Sequence, residues 1–310
     1  MKTASFEEKN IWVIVGPTAV GKSELAVRLA KKLNGEVISA DSRQVYKGLD
    51  IGTGKITKKE MRGIPHHFLD VADPKKRFSA ADFVRLGSEK IAAIFSRNHI
   101  PIICGGTGFY ISALLGEISL PPAPPNPKLR AKLEKKTTSE LFTMLKKLAP
   151  TRAAKIDRYN PRRLIRAIEV AKSSRNSVEI RYPSILWVSD FHNRSRIVKI
   201  GLTLPPKKLK EKIRTRLLTR IRHGMIAEAE KLHRQGLSWK RMEELGLEYR
   251  YLARHLRDEI SKNEMIKKLQ TEIWHYAKRQ MTWFKRDKTI EWFSPNDKTI
   301  FETIANIFSL

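Results

Sequence analysis

The sequence predicts an α/β protein: a mostly parallel sheet covered by helices, with a helical insertion and a helical C-terminal region. Three observations carry that expectation. Apolar, β-branched runs alternate with helical periodicity through the first third of the chain. A glycine-rich turn joins the first such run to the first helix. The rest is basic and largely helical in pattern, punctuated by prolines and glycines.

Residues 11–15 (IWVIV) are a short apolar run, read as a buried strand. The turn 16–21 follows, and a helix begins near Lys22 with Leu25, Leu29 and Leu33 four apart on one face, ending at Gly35. Val37 and Ile38 start a second strand, followed by the polar segment 39–44. Strands at 67–71 (HFLDV) and 100–104 (IPIIC) flank a helix over 79–97. This alternation is the pattern of a parallel sheet with helical crossovers. The stiff stretch PPAPPNP (121–127) marks a boundary. Helical, basic sequence runs from about 128 to 175, strands return at 184–188 and 198–204, and 206 to about 286 is helical with breaks near Gly236 and Gly246. The expected division is a first core part (1–120), a basic helical insertion (121–183), and returning strands with C-terminal helices (184–310). There is no tandem repeat or coiled-coil heptad.

Sixty-one Lys and Arg against 32 Asp and Glu leave a net charge of +29 on 310 residues, a field that attracts polyanions. A mere solubility surface would be evenly basic; here residues 152–175 hold eight Lys or Arg and two acids, and 207–222 hold eight and one. Charge alone does not choose between RNA, DNA and membrane. A hydrophobic content of 41% excludes global disorder. No apolar run approaches the roughly 20 residues needed to cross a bilayer. The start, MKTASFEEKN, lacks a signal-peptide apolar segment. Cys104 is the single cysteine, which excludes an internal disulfide and a cysteine-rich zinc module; a cytoplasmic setting is expected.

Gly16-Pro17-Thr18-Ala19-Val20-Gly21-Lys22-Ser23 fits G-x-x-x-x-G-K-[ST] between a predicted strand and helix, which implies a P-loop nucleoside-triphosphatase-like core. The two glycines let the backbone turn so that its N–H groups converge on phosphate, at a helix N-terminus. Lys22 supplies charge, and Ser23 a hydroxyl suited to Mg2+. The motif reports phosphate rather than ATP; a diphosphate ester satisfies it equally. Asp41, just beyond the second strand, is placed to reach a metal, a hydroxyl or an amine, or else to cap a turn. Asp70 is a rival metal-associated carboxylate, while His66 and His67 read as structural or substrate-shaping. Gly105-Gly106-Thr107-Gly108-Phe109-Tyr110 suits close approach by a ligand, with Thr107 at the rim, or is a tight turn. No acid ends strand 100–104, so a motor-ATPase arrangement is not supported.

Taken in order, six segments resemble the tRNA dimethylallyltransferases of the bacterial type, which lack a zinc finger. They are GPTAVGKSELAVRLA (16–30), ISADSRQVYKGLDIGTGK (38–55), GIPHHFLD (63–70), PIICGGTGFYISALL (101–115), NPRRLIRAIEV (160–170) and YAKRQMTWF (276–284). The resemblance spans about residues 11–290 and implies transfer of a dimethylallyl group from its diphosphate to N6 of adenosine 37, beside the anticodon, releasing diphosphate. It implies Mg2+ as cofactor, held through Ser23. The partners implied are dimethylallyl diphosphate and the tRNA anticodon stem-loop, with no membrane, for a monomer. Carried onto this chain, Gly16 to Ser23 hold the diphosphate, with Thr18 among the contacts. Lys22 and Arg216 stabilise it as it leaves, with Arg220, one turn on, a rival for Arg216. Asp41 meets the attacking amine and Thr107 lies beside the flipped adenosine. The tRNA would be touched by Asp41, Ser42, Arg43 and Gln44, by Arg162, Arg163, Leu164, Ile165 and Arg166, and by Glu244, Leu245, Gly246, Leu247, Glu248, Tyr249 and Arg250. The chain departs from the family pattern at Pro205-Pro206, Gly246 to Arg250 and Ile273-Trp274, which points to altered tRNA handling rather than lost chemistry. Two alternatives are a small-molecule kinase using the same loop, and a non-catalytic RNA-binding P-loop protein.

Overall fold

A strand that continues into a sharp turn must have its neighbours supplied from elsewhere in the chain. The computed structural model describes residues 9–121, 123–173, 195–297 and 299–302, and shows where those neighbours come from. The chain divides into two compact units, Met1–Ile118 with Val188–Leu310, and Ser119–Trp187.

In the first unit, β1 (Lys9–Val15), β2 (Gly35–Ala40), β3 (His66–His67), β4 (Ile100–Gly105), β5 (Ser195–Leu202) and β6 (Glu291–Phe293) form one sheet in the order β3-β2-β4-β1-β5-β6. Every pairing is parallel, so each connection must cross a face of the sheet. Burial on both faces explains why the strands read as continuous apolar runs. Trp12, Ile14, Val37, Ile102 and Ile200 pack with Leu25, Ala26, Leu29 and Ala30 of α1 (Lys22–Leu33). The helix ends at Asn34 in the left-handed region, one residue before the glycine expected to stop it. Gly35 instead opens β2, where a Cβ would lie 2.7 Å from the Ile100 carbonyl oxygen.

The strand expected over 67–71 is only His66–His67. Phe68 and Asp70 have φ of 67° and 58°, values no strand accommodates, so the apolar run leaves the sheet at once. A short helix, α2 (Lys58–Met61), precedes it. Next, α3 (Ala80–Ser96) starts on a capping box between Ser79 and Asp82, and α4 (Gly108–Leu114) follows β4. The expected strand 184–188 lies outside the described residues; that expected at 198–204 is β5, which begins and ends earlier. β6 is three residues long, too short to carry a period, and sequence reading missed it.

The second unit contains α5 (Pro127–Leu133), α6 (Thr138–Leu148), α7 (Pro150–Ala153) and α8 (Pro161–Ser173) around Leu133, Leu141, Leu145, Leu164 and Ile168. Glu169 is buried among them and is satisfied by the Asn126 amide (2.6 Å), Arg130 (2.7 and 2.9 Å) and Arg166 (2.6 Å). Burial would raise its pKa, but these donors hold it below the usual range.

Helices return in the first unit after β5: α9 (Pro206–Arg222), α10 (Met225–Arg234), α11 (Trp239–Leu245), α12 (Leu247–Leu256) and α13 (Lys262–Phe284). Breaks fall near Gly236 and Gly246 as expected. Others fall at Gly224 (φ 94°) and around Asp258 (φ 59°), where the sequence pattern ran on unbroken.

Candidate active site

The C-terminal ends of β1, β2 and β4 lie side by side, and each opens into one of the segments singled out above. Gly16 follows β1 with φ 140°, against the Leu202 carbonyl; a Cβ there would lie 2.4 Å from that oxygen. Ala19 and Gly21 are also at positive φ (64° and 109°), so the loop curls before α1 begins. Such a curl turns successive N–H groups inward, the geometry an anion requires. Lys22 folds back, its ammonium donating to the Pro17 carbonyl at 2.8 Å. Burial lowers its pKa to about 8; the negative charge of Asp41 opposes this and the positive charge of Arg216 adds to it. The lysine, the aspartate and the arginine therefore share one electrostatic field.

Asp41 Oδ1 accepts from the backbone N–H groups of Arg43 (2.8 Å) and Gln44 (3.3 Å). That is the turn-capping role, and it uses one oxygen; Oδ2 accepts no hydrogen bond among the described residues. Capping and chemistry are compatible here, because the cap fixes the carboxylate and leaves its second oxygen open. The turn after β4 is bound to this segment: Thr107 N–H donates to the Ala40 carbonyl (3.1 Å), and Thr107 Oγ1 accepts from Ser42 N–H (3.0 Å).

Two arginines on α9 were rivals, and their partners differ. Arg216 donates to the Gly54 carbonyl at 2.9 Å and has no ion-pair partner among the described residues. Burial and then the charge of Arg220 press its pKa down. Arg220 is already engaged by the Ile51 carbonyl (2.6 Å) and by Glu248 (3.2 Å).

Sequence reasoning missed two residues. Gln280, buried on α13, accepts from Thr18 N–H (2.8 Å) and donates to the Gly106 carbonyl (2.9 Å). One turn earlier on the same helix stands Tyr276, whose phenol burial pushes to a higher pKa. The signal available was a polar Gln one turn beyond Tyr276, in a segment whose spacing places both on one helix face. Glu228 is the second. Its carboxylate accepts from the N–H groups of Asp50 (3.0 Å), Ile51 (2.7 Å) and Gly52 (2.8 Å) and from the Tyr249 hydroxyl (2.7 Å). No local pattern announces it.

Several of the residues expected to make contacts have other partners within the chain. Tyr249 and Leu245 are each 1% exposed and belong to the interior, Tyr249 because its hydroxyl is taken by Glu228. Glu244 pairs with Arg77 and Arg241, Glu248 with Arg220, and Arg250 with Glu243, while Gly246 and Leu247, both at positive φ, form the break between α11 and α12. In the second unit Leu164 and Ile165 are buried core residues, and Arg166 is committed to Glu169 and to the Ala123 carbonyl (2.9 Å). Arg162 and Arg163 remain exposed. Asp70 pairs with Lys55 at 2.6 Å. His66 Nδ1 donates to the Ile64 carbonyl of its own loop (2.8 Å), and His67 pairs with Glu36. Burial would raise the Glu36 pKa, yet His67, Arg97 and His99 together bring it to about 2. Among the described residues no group of three or more His, Cys, Asp or Glu could hold a metal ion. No described helix is long and apolar enough to cross a membrane.

Comparison with known proteins places this geometry. The family model described as IPP transferase matches residues 44–287. The chain is 42% identical to tRNA dimethylallyltransferase 2 of Treponema denticola, covering 90% of this chain and 93% of that one. It is 38% identical to tRNA dimethylallyltransferase of Anoxybacillus flavithermus, covering 96% and 94%. Among solved structures it resembles the tRNA isopentenylpyrophosphate transferase of Bacillus halodurans, with TM-score 0.71, 36% identity and coverage of 98% and 96%. It also resembles a eukaryotic dimethylallyltransferase caught acting on tRNA, with TM-score 0.73, 26% identity and coverage of 97% and 77%.

Proposed function

The chain belongs to the IPP transferase family and transfers a dimethylallyl group to tRNA; we propose that the donor is dimethylallyl diphosphate and the acceptor N6 of adenosine 37. One observation carries the reading of the site: Asp41 keeps an uncommitted carboxylate oxygen beside the phosphate loop, within reach of the fields of Lys22 and Arg216.

An exocyclic adenine amine is a weak nucleophile, so alignment and leaving-group stabilisation must supply the rate. The N6–C bond to the allylic carbon forms as that carbon's bond to the diphosphate oxygen breaks, and the diphosphate leaves with the electron pair. The loop N–H groups, Lys22 and Arg216 meet the negative charge that grows on it. Asp41 Oδ2 takes the N6 proton. The adenine must leave its stack to reach these groups, with Thr107 at its edge of the site. Exposed Arg162 and Arg163 grip the tRNA backbone.

Mg2+ suits the oxygen donors present. The Ser23 hydroxyl is exposed at the start of α1 and makes no hydrogen bond among the described residues. With no protein cage available, the ion would take its remaining ligands from diphosphate oxygens and water, and would offset diphosphate charge. One chain supplies every group named, which supports a monomer acting in the cytoplasm, where its tRNA acceptor resides. The kinase and the non-catalytic alternatives find no support among the relatives.

The test is Asp41→Asn, assayed by mass spectrometry of nucleosides from tRNA treated with enzyme and dimethylallyl diphosphate. The parent enzyme should add one C5H8 unit to adenosine 37. The variant should bind donor and tRNA normally while single-turnover rate falls by about 10²–10⁴, the range of a positioned general base. Parent-like turnover would remove Asp41 from this role.

A further inference from the structure

Gln280 is a buried polar side chain whose amide is used at both ends on segments remote in sequence: its oxygen accepts from Thr18 N–H, 262 residues away, and its nitrogen donates to the Gly106 carbonyl, 174 residues away. We propose that Gln280 is a positioning residue that fixes the register of the phosphate loop against the Gly105–Gly108 turn, and so the distance between leaving group and acceptor. The proposal rests on the transferase reading above.

The chemistry of the contact is selective. A carbonyl must face the Thr18 N–H and an N–H must face the Gly106 carbonyl, and a primary amide presents both from one carbon. Glutamate could keep the first bond but not the second, and methionine could keep neither. Gly106 comes so close that a Cβ would lie 2.1 Å from Gln280 Nε2, so the turn is held at a separation that only glycine permits. The same helix face continues the contact. Thr107, next in the turn, accepts through its hydroxyl from Ser42 N–H beside Asp41, and Trp283 lies where a Cβ on Gly108 would meet it at 2.2 Å. Hydrogen bonds and packing therefore tie the donor loop, through one 23-residue helix, to the segment holding Asp41. Gln280 need not touch a reacting atom to matter. A displacement of about 1 Å between aligned reactants costs on the order of 10²-fold in rate.

Three variants test this: Gln280→Met, which keeps side-chain length without polar atoms; Gln280→Glu; and Gly106→Ala, which pushes on the amide from the other side. For each, binding of inorganic diphosphate and of unmodified tRNA is measured separately, with single-turnover transfer at saturating substrates and a melting curve. Gln280→Met should hold both affinities within about tenfold of the parent while transfer falls about 10²-fold, so that the defect lies in kcat rather than KM. Gly106→Ala should show the same split. Gln280→Glu should in addition weaken diphosphate binding, because it sets a carboxylate against the loop. Adding Gly106→Ala to a Gln280→Ala background should cost little further, since the clash has gone. Two results would overturn the proposal: transfer by Gln280→Met within about threefold of the parent, or loss of both affinities and of melting temperature in step with rate, which marks a packing residue only. A parent enzyme that does not modify tRNA would instead sink the transferase reading itself.

Discussion

Glu228→Ala removes one carboxylate and leaves four donors facing it: the N–H groups of Asp50, Ile51 and Gly52 and the Tyr249 hydroxyl. Hydrogen bonds to a charged acceptor contribute about 1.5–3 kcal/mol each when buried. Here the site is partly open, and water can reach the Asp50 amide, so the full sum does not apply. Tyr249 is 1% exposed and cannot turn to solvent. A net local cost of about 2–4 kcal/mol follows, which is a rise of roughly 30- to 1000-fold in the opening of loop 50–54. The assay is amide hydrogen exchange at Ile51 and Gly52, with amides of β1 and α1 as internal controls. Glu228→Gln should recover less than half the protection, because its NH2 group confronts donors. The same loop offers the Ile51 and Gly54 carbonyls to Arg220 and Arg216, so donor affinity should weaken about tenfold even though Glu228 never meets the donor. Exchange at Ile51 and Gly52 that stays within about threefold of the parent would refute the claim that this carboxylate holds the loop.

Lys22→Ala should lower transfer by about 10²–10³ while sparing tRNA affinity, the loss expected of one transition-state electrostatic contact, as read in single-turnover assays. Replacing the exposed pair Arg162 and Arg163 with Ala should weaken tRNA binding and flatten its dependence on salt, whereas Arg166→Ala should instead destabilise the second unit by stripping a donor from buried Glu169. Glu36, with its pKa depressed to about 2, lends stability that is complete above the ordinary carboxylate range, near pH 4.5, and is lost as pH falls toward 2. Urea unfolding at pH 6 and pH 3 should show that component in the parent and not in Glu36→Gln.

What could be read from sequence was what local chemistry writes. The phosphate loop is legible because a strand, two glycines, a lysine and a hydroxyl in one short segment have few other uses. Asp41 and Thr107 followed because each sits just past a strand end. The strand over 67–71 was overextended, because the positive φ of Phe68 and Asp70 leaves no mark in an apolar run. Gln280 and Glu228 stayed hidden for the opposite reason. Their meaning lies in partners 262 and 177 residues away, which periodicity cannot reach. The surface role assigned to Leu164, Ile165, Leu245 and Tyr249 came from treating a contiguous segment as a contiguous surface. A helix turns every residue to a different side, and these four turn inward.

The position of β1 has a consequence for how the molecule comes into being. It leaves the ribosome before the other five strands of this sheet, yet it ends in the middle, between β4 and β5. Until residues 195–202 have been made, the nascent chain carries β1 with one flank unpaired, a hazard for a protein that must stay unaggregated during synthesis. The unit Ser119–Trp187, whose described residues form short local helices, can meanwhile collapse on its own. Thr18 waits longer still, for a helix that ends at Phe284. A chain interrupted anywhere before that point has its phosphate loop in sequence but not in register, so premature termination products should be inert rather than partly active.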